Sequence, residues 1–232
     1  MGLRAYLELC RASNLPTVWT NALAAAVLSE ARTPGPALLA GASVTLTYLG
    51  GMALNDVLDA DEDRVKKPER PIPSGRVTRA GAATFAALLF GAGLVLLAFC
   101  GLKPLLAGGG LLLTVGAYDS LHQKSALTVV LMATCRAFIF VVTGLAVDGD
   151  VNRWVALAGA AQFLYIIALT AVARWEKAAP RSFKVPPIPW LLAGISLVDG
   201  VVLAVFSGPL WLAAGIAGAA STRLLQTQVR GD

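Results

Sequence analysis

An all-α, polytopic transmembrane bundle of about eight helices is the fold class this sequence predicts, and three observations carry it. Hydrophobic residues fill 56% of the 232 positions and the mean hydropathy is +0.69, which leaves too little polar surface to coat a soluble globule. The apolar residues gather into runs that approach the ~20 residues a helix needs to cross a hydrocarbon core. Charge, only 14% Asp, Glu, Lys and Arg, collects at the ends of those runs, above all in one tract over residues 55–79.

Taken in order, Met1 to Asn14 carries Arg4, Glu8 and Arg11 and predicts a helix lying at the membrane interface. Leu15 to Ser29 has the alanine-rich stretches of a signal peptide, but its polar lead is long and other spans follow, so it reads as the first transmembrane helix. Further spans are expected at Ala37 to Leu54, Ala80 to Cys100, Pro104 to Tyr118, Leu127 to Val147, Val155 to Ala173, Ile188 to Val205 and Leu210 to Ala220. Glycines 108–110 and the pair Gly215 and Gly218 suit close helix packing in lipid. No soluble domain or low-complexity linker interrupts the pattern, so residues 1–232 read as one integral-membrane domain.

The net charge of +5 does not point to nucleic acid, because the cations sit in short loops between spans and no basic-aromatic patch accompanies them. Cys10, Cys100 and Cys135 are an odd set without CxxC spacing, which favours ordinary packing over a disulfide or zinc site. With the N-terminus in the cytoplasm, fifteen Lys and Arg fall on that side and only Arg32, Lys103 and Arg153 on the other. The positive-inside rule therefore places the charged tract on the cytoplasmic face, expected to be that of the cell inner membrane.

Within the tract, Asn55, Asp56, Asp59 and Asp63 stand at i, i+1, i+4 and i+8 and, at about 100° per residue, share one helical face. Asp61 points off that face. Clustered carboxylates repel one another and are costly near hydrocarbon, whereas Mg2+ takes carboxylate and phosphate oxygens together and relieves both problems. A solvated helix end would account for the acids alone. It would not need the cations C-terminal to them, Arg64, Lys66, Lys67, Arg70 and Arg76 strung through Pro68, Pro71 and Pro73, which suit a metal-bridged polyphosphate paired with Arg and Lys.

This tract resembles the first Asp-rich motif of the UbiA superfamily of intramembrane prenyltransferases, NDxxDxxxD followed by a KPxRPxxSG-like run. Here it reads Asn55-Asp56-x-x-Asp59-x-x-x-Asp63 and then Lys67-Pro68-x-Arg70-Pro71-Ile72-Pro73-Ser74-Gly75. The resemblance implies Mg2+ held by Asn55, Asp56, Asp59 and Asp63, with Lys67 and Arg70 on the diphosphate. Arg11 and Asn21, in Arg11-x-x-x-Leu15-Pro16-Thr17-x-x-Thr20-Asn21, are similar to the start of helix one in that family, where an Arg and polar residues border the active cavity. An interhelical hydrogen bond explains Asn21 equally well.

A second loop is expected on that same cytoplasmic face, Tyr118-Asp119-Ser120-Leu121-His122-Gln123-Lys124, and its Tyr118 and Lys124 match a Tyr and a basic residue that UbiA-type proteins set against the diphosphate. An interfacial anchor and a positive-inside charge are the competing readings. Arg136 lies within a span and needs a partner in the bundle or a wet cavity, which an acidic neighbour or a substrate phosphate would supply. The superfamily's second motif, DxxxD or similar, is not matched: the corresponding place reads Ala173-Arg174-Trp175-Glu176-Lys177, so Glu176 is either a lone second metal ligand or a partner of Arg174 or Lys177. Asp199 lies too far along to complete that motif. The superfamily usually has a ninth helix, which the resemblance marks as absent here or beyond the end of the sequence.

The implied reaction is Mg2+-dependent transfer of an isoprenoid chain from a prenyl diphosphate to an aromatic or lipid-like acceptor in the membrane. Asp56, Asp59, Asp63 and Glu176 are its expected catalytic and metal residues. Two other classes stay open: a non-catalytic carrier of an isoprenoid phosphate, favoured by the lone Glu176, and an ion-coupled transporter, favoured by intramembrane Arg136 and Asp199.

Overall fold

The computed structural model describes residues 2–121, 128–178 and 188–229, and every regular element among them is helical. Ten α-helices follow one another: α1 (Leu3–Leu9), α2 (Leu15–Leu28), α3 (Pro34–Leu58), α4 (Ala60–Lys66), α5 (Arg79–Ala98), α6 (Leu102–Leu121), α7 (Thr128–Asp148), α8 (Arg153–Ala178), α9 (Ile188–Ser207) and α10 (Leu212–Gln226). The eight expected spans correspond to α2, α3 and α5 to α10. α1 and α4 are short surface helices at the charged end.

Among the described residues five helices, α3, α5, α7, α8 and α9, are long and apolar enough to cross a membrane. Large apolar side chains stand exposed around the outside, among them Leu88, Leu106, Leu113, Leu164 and Val201, as expected where lipid replaces water. The protein is an integral membrane protein.

The eight long helices form a ring in chain order: α2 packs on α3, α3 on α5, α5 on α6, and so on to α9 on α10, which closes against α2. α2 also reaches across to α7, α8 and α9, so it lies inside the bundle. Its sequence explains this, since Ala22, Ala24, Ala25 and Ala26 let neighbouring backbones approach and all are buried. α9 and α10 meet at glycines: a Cβ on Gly215 would stand 2.6 Å from Gly200 Cα. Gly218 faces α2 and α9, and Gly108 faces Leu97, whereas Gly109 faces open space.

One end of the bundle is finished by the charged tract. Leu9 of α1, Val57, Ala60, Ile72, Val77 and Ala82 form a buried cluster that docks α1 and the tract onto α3 and α5. Fully burying a side chain such as Leu9 or Val77 stabilises by about 1.5–3 kcal/mol. Thr78 starts α5, its Oγ1 accepting from the Gly81 N–H at 3.1 Å. At the opposite end Lys103 donates to Gly149 O and Asn152 to Leu28 O, each at 2.8 Å, tying the far loops together. α6 continues through Leu121, so Tyr118 and Asp119 are helical rather than the start of a loop.

Candidate functional site

The acids of the tract span two helices rather than one. α3 ends at Leu58 and α4 starts at Ala60, and Asp59 links them at a bend, its N–H donating to Asn55 O at 2.9 Å and its O accepting from the Asp63 N–H at 2.8 Å. Asn55, Asp56 and Asp63 are buried and Asp59, at the junction, is half-buried.

What joins these side chains is arginine. Arg70 Nη1 donates to Asp63 Oδ2 at 2.6 Å and to Asp56 Oδ1 at 3.3 Å. Arg11 Nη2 donates to Asn55 Oδ1 at 3.0 Å and to Asp56 Oδ1 at 3.1 Å. Among the described residues no three of His, Cys, Asp and Glu lie close enough together to hold a metal ion. The donor chemistry nonetheless fits one, because carboxylate and amide oxygens are what Mg2+ takes.

Arg70 reaches the acids because the proline-bearing segment folds back. Ser74 N–H donates to Arg70 O at 3.0 Å and Val77 N–H to Pro71 O at 3.0 Å, and Gly75 takes φ +75°, a left-handed conformation that glycine adopts without steric cost. Arg76 then donates to Glu69 O at 2.6 Å and to Glu8 Oε2 at 2.5 Å, locking the segment to α1. Burial pushes the Glu8 carboxyl up, but Arg76 and Arg4 outweigh it and hold it below its ordinary value. Burial and the nearby Asp56 charge push the Cys10 thiol up to about 12, so it is no thiolate nucleophile at neutral pH. All three cysteines are free.

Arg11 has φ 45°, a left-handed conformation that costs a non-glycine residue of order 1 kcal/mol and is worth functional attention. Its side chain lines two spaces. One is a polar recess of about 80 Å³ shared with Glu8, Asp56, Lys67, Glu69, Arg70, Pro71 and Arg76. The other is a cavity of about 370 Å³ within the helix ring, walled mainly by apolar side chains of α3, α6, α7, α8 and α9. That volume lies in the range of small-molecule sites.

Tyr118 lines the cavity, and beside it stands a residue that sequence reasoning missed. Asp119 is buried at the cavity wall and accepts from Asn55 Nδ2 at 3.3 Å. Asn55 thus bridges Arg11 and α6. Its neighbour Tyr118 drew attention, but only the continuation of α6 turns Asp119 inward. Tyr48 is a second such residue: its hydroxyl donates to Arg11 O at 3.3 Å from within an apolar run that gave no signal.

Deeper in the bundle, Arg136 lines the cavity and donates to Asn21 Oδ1 at 2.9 Å and Thr17 Oγ1 at 3.0 Å. Asn21 is fully buried behind it and makes interhelical hydrogen bonds to Asp199, the alternative its sequence context left open. Glu176 is half-buried near the end of α8, lines neither space and forms no ion pair with a described residue. Arg174 bonds Thr128 Oγ1 at 3.3 Å. Lys124 and the side chain of Lys177 lie outside the described residues.

An all-helical intramembrane bundle with a cationic and acidic recess opening beside an apolar cavity is laid out for a molecule with an anionic head and an apolar tail. The model of the UbiA prenyltransferase family matches residues 13–229, and the chain belongs to that family. Among curated proteins, digeranylgeranylglyceryl phosphate synthase of Ignicoccus hospitalis is 48% identical over 92 residues, 39% of this chain and 30% of that protein. The enzyme of the same name from Methanococcus vannielii is 32% identical over 170 residues, 70% of this chain and 59% of that protein. The matched segments thus span less than two thirds of these relatives.

Among solved structures, one described as digeranylgeranylglyceryl phosphate synthase in membranes superposes with a TM-score of 0.67 at 22% identity, covering 97% of this chain and 88% of that one. A UbiA homolog from Archaeoglobus fulgidus bound to GPP and Mg2+ gives 0.62 at 18% identity, covering 97% and 86%. These two likenesses bear on the fold.

Proposed function

We propose that this chain, acting as one domain, transfers an isoprenoid group from an allylic prenyl diphosphate to an aromatic or lipid-like acceptor within the membrane. The observation that carries the reading is Arg11, whose guanidinium borders both the polar recess and the apolar cavity. A diphosphate in the recess would leave its chain pointing into the cavity. The family supports this chemistry, as do the solved homolog bound to GPP and Mg2+ and the relatives' name, which implies a glyceryl phosphate lipid.

Arg11, Lys67 and Arg70 are the groups placed to pair with diphosphate oxygens, a fork geometry that suits guanidinium. Asn55, Asp56, Asp59 and Asp63 would hold Mg2+, which when bound supplies positive charge to neutralise the leaving diphosphate. Arg70 bonds both Asp56 and Asp63, so the same guanidinium that keeps the acids together lines the recess that would take the diphosphate. In the reaction the allylic C–O bond breaks, its electron pair leaves with the diphosphate, the acceptor's nucleophilic atom bonds the allylic carbon, and the acceptor loses a proton. The apolar walls, among them Val44, Leu111, Val115 and Ile139, exclude water that would otherwise capture the allyl cation.

The cation distribution favours the cytoplasmic side of the inner membrane for the recess. A carrier of isoprenoid phosphates is the second reading, favoured by Glu176 lining neither space. Both readings require Mg2+ for head-group binding. Binding of a non-hydrolysable geranyl diphosphate analogue to purified protein should fall about 100-fold or more in excess EDTA and return with Mg2+. Unchanged affinity in EDTA would reject the recess as the diphosphate site.

A further inference from the structure

One amide joins the acids of the tract to the far wall of the cavity. Asn55 lies in the last turn of α3 and Asp119 in the last turn of α6, and both helices run toward the charged end of the bundle. One turn below them, a Cβ on Gly51 would stand 3.2 Å from Val115 Cγ1, so the missing side chain lets α6 come this close to α3. Gly51 precedes Asn55 by four residues and Val115 precedes Asp119 by four, which sets Asn55 and Asp119 one turn higher on the same two faces. There Asn55 Nδ2 donates to Asp119 Oδ1 at 3.3 Å.

The other side of the same amide faces the recess. Arg11 Nη2 donates to Asn55 Oδ1 at 3.0 Å and to Asp56 Oδ1 at 3.1 Å, so one nitrogen holds the amide oxygen beside the Asp56 carboxylate. A guanidinium only donates and a carboxylate only accepts. The two neighbours therefore permit one orientation of Asn55, its oxygen toward Arg11 and Asp56 and its NH2 toward Asp119. A turned amide would have the same shape, but it would set an NH2 against the guanidinium and against any cation bound by Asp56.

Asp119 is 4% exposed, on a wall that α6 otherwise builds from Leu111, Val115 and Tyr118. Burying a carboxylate there is costly, and an uncharged acceptor would tie the two helices together at lower cost. What the carboxylate adds is an acceptor that cannot donate. An Asn, Ser or Thr hydroxyl or amide could serve either face of Asn55, whereas ionised Asp119 serves only the NH2.

We propose that Asp119 is a positioning residue for the metal end of the site: it takes the Asn55 N–H and so keeps the amide oxygen on the side of Asp56, where Mg2+ would bind. This rests on Asn55 and Asp56 being Mg2+ ligands in prenyl transfer. A partner standing behind a metal ligand in this way is worth about 10–100-fold in metal affinity. Through it α6, a wall of the apolar cavity, takes part in the head-group site.

The test uses the full chain in lipid nanodiscs and a non-hydrolysable geranyl diphosphate analogue at fixed concentration, its bound fraction read across an Mg2+ titration; dodecanol probes the apolar cavity separately. Wild type should bind the analogue in an Mg2+-dependent way, and Asp119→Leu should raise the half-saturating Mg2+ about tenfold or more while dodecanol binds within about twofold of wild type. Asp119→Asn, which can accept but can also turn, should fall between the two. The deciding comparison is made on Asn55→Ala, titrated to higher Mg2+: with no amide to orient, adding Asp119→Leu should shift the midpoint by less than about twofold. A carboxylate acting on the metal directly would give the same shift in both backgrounds, and a packing defect would weaken dodecanol as well. Either result overturns the proposal, as does an Asp119→Leu midpoint equal to that of wild type. Binding to wild type that ignores Mg2+ would instead overturn the metal-site reading, and the proposal with it.

Discussion

The recess and the mid-membrane network pair cations with acids in opposite ways. In the recess Arg70 touches Asp56 and Asp63 directly, and Arg11 touches Asp56. In the network Arg136 and Asp199 both bond Asn21 and the amide stands between them. Direct pairs can exchange one partner for a ligand oxygen or a metal without leaving a bare charge, because each arginine has a second acceptor and Asp56 a second donor. The spaced pair cannot exchange, since Asn21 has no other donor to offer Asp199. One region is built to rearrange when a ligand arrives and the other to stay put.

The largest effect that would sharpen this contrast lies in coupling. Because the Arg70 and Asp63 side chains are only 13% and 8% exposed, Arg70→Met should strand Asp63, leave Asp56 to Arg11 alone and cost about 3–5 kcal/mol of stability. In a double-mutant cycle with Asp63→Asn, most of that cost should be recovered as coupling, while Arg136 and Asp199, not in direct contact, should couple by less than about 1 kcal/mol. Denaturant unfolding of the four variants of each pair in mild detergent checks it. Equal coupling at both places would break the comparison.

A smaller effect separates an enzyme from a carrier. If Glu176 contributes to stabilising the departing diphosphate, Glu176→Gln should lower turnover by about tenfold, or roughly 1.4 kcal/mol, with analogue affinity unchanged. Steady-state kinetics beside a binding isotherm reads both quantities; equal loss in each would assign Glu176 to ground-state binding. The smallest effect concerns the frame that holds the recess. Thr78→Ala removes the cap on α5 and should lower stability by about 1 kcal/mol without altering Mg2+-dependent binding, as a thermal melt and an isotherm would show.

Much of the frame was legible because each span is an apolar run and its boundaries are charges, so Ala37 to Leu54 became α3 and Val155 to Ala173 became the middle of α8. The nearness of Asn55, Asp56 and Asp63 was legible in their spacing, although the helix breaks at Asp59 and it is Arg11 and Arg70 that join their side chains. The fold-back that delivers Arg70 was not. Prolines at 68, 71 and 73 mark a stiff segment without giving its direction, and the reversal depends on Gly75 and on the backbone bonds of Ser74 and Val77. Contacts across the ring were equally invisible: Asn21 and Asp199 are 178 positions apart, and no local pattern links them. Asp119 was hidden for a related reason, because Tyr118-Asp119-Ser120 is polar enough to look like a loop, whereas α6 continues through Leu121 and buries Asp119.

The central claim, that the arginine-bridged acids and the adjoining cavity ionise a prenyl diphosphate, is tested most directly by release of inorganic diphosphate. Labelled geranyl diphosphate is incubated with wild type and with Asp56→Asn in nanodiscs, in the presence of a lipid-extract acceptor, with Mg2+ or with EDTA. Wild type with Mg2+ should release diphosphate in step with prenylated product, while EDTA abolishes release and Asp56→Asn lowers it by about 100-fold or more. Tight Mg2+-dependent binding in wild type without release, or release that persists in EDTA, would contradict the account.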